Sequence, residues 1–290
     1  MRNVKLITNC ERPPNYLMDV SVKHWLANGF EPKDLIFLVN NTTNFDMVKC
    51  LKDSYNIDAK RVHTVDEIYD ADQCVVWDDL IEPDYGLYHD KEHLIINSVQ
   101  HKLLDSGVDV VIFLDRDELL WHESGDLRNV LNTFTESVIR PRGVEVIQAD
   151  GEGPLDLSRT IAEQRSWFRW YPSKSKACIT RTPVDWIIGR HGTYCGRWPH
   201  ADTEAHPQQH PEASVEEYPG LYLVHFDKMD IDLVYKLRQE SQELVFKTNN
   251  RHTGVVDEEA FEAWFTEAHL DQRPGRVLYQ DKDFLKKVGV

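Results

Sequence analysis

Three carboxylates fall within four residues at Asp115, Arg116, Asp117 and Glu118. Neighbouring carboxylates repel one another, and a cation between them relieves the repulsion. A hard divalent ion is the cation that such oxygens suit. The four residues follow directly on Val110-Val111-Ile112-Phe113-Leu114, an apolar run rich in β-branched residues. A run of this type reads as a strand buried on both faces, as in the middle of a parallel sheet. Ligands of open α/β sheets collect at the carboxyl ends of the strands, where these carboxylates would stand. The plain alternative is a solvated acidic turn without function.

Other residues offer competing chemistry. His89-Asp90-Lys91-Glu92-His93 matches HxxEH. Histidines four apart share a helix face, so zinc held by His89 and His93 with Glu92 beside them is a second reading. The third is a polar helix start at the mouth of a site. His200, His206 and His210 have no regular metal spacing and read as surface. The five cysteines, Cys10, Cys50, Cys74, Cys178 and Cys195, form no CxxC pair, so neither a zinc ribbon nor a disulfide framework is indicated. Reduced thiols in a cytosolic protein are the simplest account. No GxGxxG or Walker pattern occurs, which leaves dinucleotide and P-loop functions unsupported.

The elements that must position the acidic run alternate strand and helix. Strands are expected at Val4 to Thr8, Leu35 to Val39, Arg61 to Thr64 and Cys74 to Trp77. Helices are expected at Tyr16 to Ala27, Phe45 to Ser54 and His89 to Leu104, the last amphipathic through Leu94, Ile95, Val99 and Leu103. This rhythm argues for βαβ units and a parallel sheet. After the acidic run a helix begins near Ser124 to Asp126, with Ser124 or Asp126 as cap. Ser137 to Arg140 and Val144 to Gln148 read as two strand pieces split by Pro141-Arg142-Gly143. Residues 149–165 read as a polar loop over the site. The aromatic stretch Trp167 to Tyr171 reads as core, with sugar or base stacking as the alternative. Leu221 to Phe226 reads as a late strand carrying His225, and Asp230 to Phe246 and Glu258 to His269 as helices.

The chain has 290 residues, 41% hydrophobic, enough for one large α/β domain with an appended part. A formal net charge of −16, spread along the chain, excludes a sequence-independent binder of nucleic acid. No run approaches a transmembrane span and the first residues lack a signal-peptide core. A soluble, cytoplasmic protein is expected, with peripheral membrane association left open.

Taken together, the segments DRDELLW (115–121), GVEVIQ (143–148), YPSKSKACIT (171–180), GRHG (189–192) and LVHFDKMDIDLVYKLRQ (223–239) resemble bacterial and viral glycosyltransferases of the family-2-like GT-A group. The resemblance covers about residues 4 to 245, and the DxDE element is its strongest part. Val144 replaces an aromatic beside Glu145, and no acidic x-Glu-Asp pair stands at the acceptor site. The resemblance implies an α/β, Rossmann-like GT-A fold: a mostly parallel central sheet flanked by helices, with a less regular C-terminal acceptor part. It implies one catalytic domain over 1–250, with a nucleotide-sugar half (1–121) and an acceptor half (122–250), and a C-terminal helical extension over 251–290.

The function implied is transfer of a sugar from a UDP- or GDP-sugar to a hydroxyl of a glycan or lipid-linked glycan, with inversion. Mn²⁺ or Mg²⁺ would be held by Asp117, by Asp115 directly or through water, and by His225 or His191. Asp115, Lys91, Lys176 and Asn9 would contact the donor, Lys176 as a cation on the diphosphate. Glu145 is the best matched proton acceptor, with Asp150 and Glu152 as rivals, and Glu118 would cap the turn or orient Arg116. Outside this class stand the zinc hydrolase of His89, Glu92 and His93, and a non-catalytic carbohydrate-binding protein of the same fold.

Overall fold

The structure is a computed structural model describing residues 1–10, 16–39, 46–68, 72–78, 88–171, 175–187, 192–194, 215–236, 278–281 and 283–290, with the side chains of 88–93, 187, 192–194, 215–216 and 278 outside the description. Five parallel strands form its centre. They are β1 (Val4–Cys10), β2 (Leu35–Val39), β3 (Ala59–Val62), β4 (Cys74–Trp77) and β5 (Val110–Leu114), in the order β5-β1-β2-β4-β3. Helices α1 (Tyr16–Ala27), α2 (Met47–Tyr55) and α3 (Tyr88–Asp105) connect them. The expected fold class is the one found, α/β with helices on both faces of the sheet.

Strand alternation decides which face each residue serves. From β1, Val4, Leu6 and Cys10 join Met18, Val22 and Trp25 of α1 and Met47 and Leu51 of α2 in one core. Ile7, from the same strand, joins Ile96, Val99 and Leu103 of α3 in a second core on the other face. With both faces covered, β2 and β5 are apolar at every position, LIFLV and VVIFL.

The remaining strands extend the sheet in mixed directions. These are β6 (Glu118–His122), β7 (Val138–Ile147), β8 (Trp167–Trp170), β9 (Ile179–Thr180), β12 (Val215–Lys228) and β13 (Leu278–Gln280), with β10 (Asp185–Ile187) and β11 (Gly192–Tyr194) forming a separate hairpin. β9 lies antiparallel between β5 and β7. β8 and then β13 add to one edge of β7, while β12 adds to its other edge and carries β6. Among the described residues the sheet has eleven strands.

Three differences from the sequence reading have physical causes. The two expected strand pieces around Pro141 are one strand, β7. Proline cannot donate to a ladder, and here the pairing with β12 shifts register between Glu217 and Tyr222, opposite the proline. Gly220 sits in that irregularity at φ 71°, and a Cβ there would lie 2.7 Å from the Glu123 side chain. Second, Glu118 to His122, assigned no element from the sequence, form a strand, β6. The helix that follows, α4 (Leu127–Thr133), is capped as expected by Asp126, whose side chain accepts from the Asn129 amide at 2.9 Å. Third, residues 278–280, within the expected 251–290 helical extension, form a strand of the main sheet. β13 pairs with β8, and Phe284, on α5 (Phe284–Val288), stacks on Phe168 with ring centroids 4.4 Å apart.

Of the expected helix from Asp230, residues 231–236 are described and helical, while the expected helix at 258–269 lies outside the described residues. Among the described residues no helix is long and apolar enough to cross a membrane.

Candidate active site at the switch point of the sheet

Strand order reverses between β1 and β5: the chain leaves β1 toward β2 on one side, and β5 lies on the other. Such a switch point opens a crevice at the carboxyl ends of the strands. Thr8 pairs with Leu114, so the next residues, Asn9 and Asp115, stand side by side at those ends. Asn9 is buried and lies in register with Leu38 of β2. Asp115 keeps 37% of its side chain exposed, which leaves it open to a ligand.

The turn from β5 to β6 is closed reciprocally. The Asp115 amide donates to Glu118 Oε2 at 2.9 Å, and the Glu118 amide donates to the Asp115 carbonyl at 3.1 Å. The Phe226 amide donates to the Asp117 carbonyl at 3.0 Å, which ties the turn to β12. Glu118 is therefore the cap of the turn. Its carboxyl is 1% exposed, and burial pushes it up to about 8, with Lys176 pulling it down and Asp115 and Asp117 pushing it further up.

Lys176 reaches this turn from the segment before β9. Its Nζ lies 2.9 Å from Asp115 Oδ2 and also contacts the Glu118 carboxylate. The ammonium sits 5.1 Å from the centroid of the Phe113 ring. Burial works against this charge, but Asp115 and Glu118 outweigh it and hold the lysine above its usual range. The cation expected on a diphosphate is thus held by two carboxylates of the acidic run. The physical reason is register: Ile179 pairs with Ile112, which brings Lys176 level with Asp115.

Beyond the turn, one row of ionisable side chains crosses four strands. Glu118 of β6 pairs with His225 of β12, His225 with Glu145 of β7, and Glu145 with Arg169 of β8. His225 Nδ1 lies 3.4 Å from Glu118 Oε1. Arg169 Nε donates to Glu145 Oε2, and its guanidinium carbon lies 4.3 Å from the Tyr171 ring centroid. All four side chains are buried, between 1% and 4% exposed. Glu145, the expected proton acceptor, is therefore an ion-paired group within the sheet. Of its rivals, Asp150 is exposed at the following turn. Glu152 accepts the Ala149 amide at 2.8 Å and lies 3.8 Å from Arg165 Nε.

The loop over residues 149–165 is pinned at its end. Arg165, 3% exposed, donates to the Gly153 carbonyl at 2.9 Å and to the Met229 carbonyl, and lies 3.5 Å from Asp230. Asp230 in turn accepts the amides of Leu155 and Leu233.

The expected residues come together in part. Lys176 contacts Asp115, Asn9 stands beside Asp115 at the neighbouring strand end, Asp117 lies in the same turn, and His225 and Glu145 stand in the adjoining row. Among the described residues no three His, Cys, Asp or Glu side chains are arranged to hold a metal, so Asp115, Asp117 and His225 do not form a three-ligand set. His191 lies outside the described residues. Lys91, His89, Glu92 and His93 lie on α3, with side chains outside the description. Arg169 escaped the sequence reading. Its signal was alternation, since in Trp167-Phe168-Arg169-Trp170 the charge falls on the opposite face from Phe168 and Trp170.

No family model matches this chain, and no curated protein matches it. Solved structures do. One is S. aureus TarS 1–349, at 14% identity over 62% of this chain and 47% of that one, with a TM-score of 0.32. A second is TarS 1–349 in complex with UDP, at 10% identity over 93% and 72%, TM-score 0.31. A third is mannose-1-phosphate geranyltransferase from Thermus thermophilus, at 11% over 90% and 68%, TM-score 0.29. This chain spans less than half the length of the first. At these scores the likeness bears no weight, and the chemistry rests on the geometry above.

Proposed function

We propose that the protein is a metal-dependent glycosyltransferase, moving a sugar from a nucleoside-diphosphate donor to an acceptor hydroxyl. One observation carries the reading: the partly exposed carboxylates of Asp115 and Asp117 at the carboxyl end of a central parallel strand, at the switch point of the sheet. The donor set fits Mg²⁺ or Mn²⁺, since such an ion is commonly bound by one or two carboxylates, substrate phosphates and water, and needs no third protein ligand. When bound, the ion would neutralise charge growing on the leaving diphosphate.

The chain's own residues have distinct tasks in this reading. Asp117 holds the ion, and Asp115 shares it or holds the donor ribose. Asn9 contributes a polar side chain from the neighbouring strand end. Lys91 is kept as a donor contact and His191 as the remaining candidate to complete the metal shell. Glu118 keeps the turn closed. Glu145 takes the acceptor proton, with Arg169 fixing its carboxylate. The donor is a UDP- or GDP-sugar and the acceptor a glycan or lipid-linked glycan, with inversion, in the cytoplasm.

Calorimetric titration of UDP and GDP, with and without Mn²⁺, tests the donor site on wild type and Asp117→Asn. Mn²⁺-dependent binding of one diphosphate, weakened about a hundredfold or more in the variant, is expected. Glu145→Gln should keep that binding and lose turnover. Equal binding by wild type and Asp117→Asn would sink the proposal. The burial of Glu145 against Arg169 favours one second reading, a non-catalytic carbohydrate-binding protein of this fold. It predicts donor binding with no transfer to any acceptor.

A further inference from the structure

We infer that Lys176 is a built-in counter-ion that makes capture of a divalent ion by Asp115 and Asp117 conditional on the diphosphate. The inference rests on the nucleotide-sugar reading above and deepens it. Lys176 is a fixed group, with 10% of its side chain exposed. The Cys178 amide donates to its carbonyl at 2.9 Å, and the Phe113 amide donates to the Cys178 carbonyl at 2.9 Å. The Gly143 amide donates to the hydroxyl of the preceding Ser175 at 2.8 Å. The segment is thus tied to β5 on one side and β7 on the other. Its ammonium, 2.9 Å from Asp115 Oδ2, also touches Glu118.

A divalent ion on Asp115 must therefore share that carboxylate with an ammonium. At an effective dielectric of about 20, a positive charge roughly 5 Å from such an ion weakens its binding by well over tenfold. A diphosphate brings the missing negative charge and reverses the balance. Ion and diphosphate then strengthen one another by the same factor, because coupling between bound ligands is reciprocal. A lysine that instead contacted the diphosphate directly would act without the metal, and its loss would weaken diphosphate binding in metal-free protein.

The test is Mn²⁺ titration of the full chain, read by the electron paramagnetic resonance of free Mn²⁺, first without nucleotide and then with UDP or GDP. In wild type the diphosphate should tighten Mn²⁺ about a hundredfold. Lys176→Gln removes the charge while keeping a donor toward both carboxylates. It should bind Mn²⁺ alone at least about tenfold more tightly. Lys176→Arg keeps the charge and should behave as wild type. Thermal unfolding confirms that each variant is folded. Coupled binding that is lost in Asp117→Asn, with Mn²⁺-alone affinity unchanged or weaker in Lys176→Gln, overturns the role of Lys176 and leaves the donor site standing. Absence of any coupling in wild type, which needs no variant, overturns both.

Discussion

In the parallel half of the sheet, β2, β4 and β5 bury only apolar residues and cysteine, and each side chain meets a helix or a neighbouring strand. In the half built from β6, β12, β7 and β8, one face of the same sheet buries Glu118, His225, Glu145 and Arg169 side by side. Apolar burial is cooperative with folding and needs no particular partner. A buried charge needs one partner at one position, and desolvation often cancels what the pair gains. Strands β2, β4 and β5 are therefore built for stability. The half from β6 to β8 holds groups whose retention calls for another explanation, and they adjoin the crevice where Asp115 and Asp117 open to solvent.

Removing one member of the row should break this contrast most sharply. Arg169→Met leaves Glu145 buried without its ion-pair partner and should cost about 3–5 kcal/mol in urea unfolding. Ile112→Val, deep in the parallel half, should cost about 1 kcal/mol. The decisive variant is the double one, Glu145→Leu with Arg169→Met. If the row serves function, an apolar pair of similar volume should return stability to within about 1 kcal/mol of wild type, or above it, while transfer is lost. A double variant as unstable as Arg169→Met would mean that the row is structural.

The seam between the halves responds to acid. His24 of α1 is 2% exposed, and its Nε2–H donates to the Leu120 carbonyl of β6 at 2.7 Å. Burial lowers its pKa to about 4, against an ordinary value of 6.5, although the backbone hydrogen bonds pull the other way. A depressed folded value means that the unfolded chain takes up the proton first. The stabilisation is complete above pH 6.5 and is lost as pH falls from there to 4, about 3 kcal/mol in all. Wild type minus His24→Gln, compared in urea melts at about pH 7.5, 5.5 and 4, should isolate that loss. A difference that stays constant with pH would place the acid sensitivity elsewhere.

The same contrast explains what the sequence made legible. Continuous β-branched runs at Leu35–Val39 and Val110–Leu114 need no information from elsewhere in the chain, and both strands are where they were expected. The acidic turn was legible because it ends such a run. Strand β6 was hidden because Glu118 is a charged first residue, and the Lys176 and His225 that make its burial tolerable come from distant segments. Strand β7 was hidden by Pro141, whose missing donor is harmless only because β12 slips register beside it. The Lys176–Asp115 contact depends on the pairing of β9 with β5, which no local pattern announces. Local patterns therefore located the crevice. The wall beside it exists only through pairings between remote strands.

The smallest expected effect probes the junction where local information resumes. Asp126 caps α4, the first element after β6, through its contact with the Asn129 amide at 2.9 Å. Its own amide donates to the Ser124 hydroxyl at 3.2 Å, and that hydroxyl contacts His122 Nδ1 at 2.8 Å. Asp126→Ala should cost about 1 kcal/mol, as loss of a cap does at an exposed helix start. Asp126→Asn, which keeps the accepting oxygen, should cost only a few tenths. Leu127 and Leu131 of this helix pack into the core shared with β1 and β5, so the loss should appear as a lower unfolding midpoint with an unchanged urea slope. Mn²⁺ affinity should not move, because the cap lies beyond the far end of β6 from Asp115 and Asp117. A shift in Mn²⁺ affinity on cap removal would mean that the acidic turn is held by the whole β6–α4 unit, and not by Glu118 and the β12 contact alone.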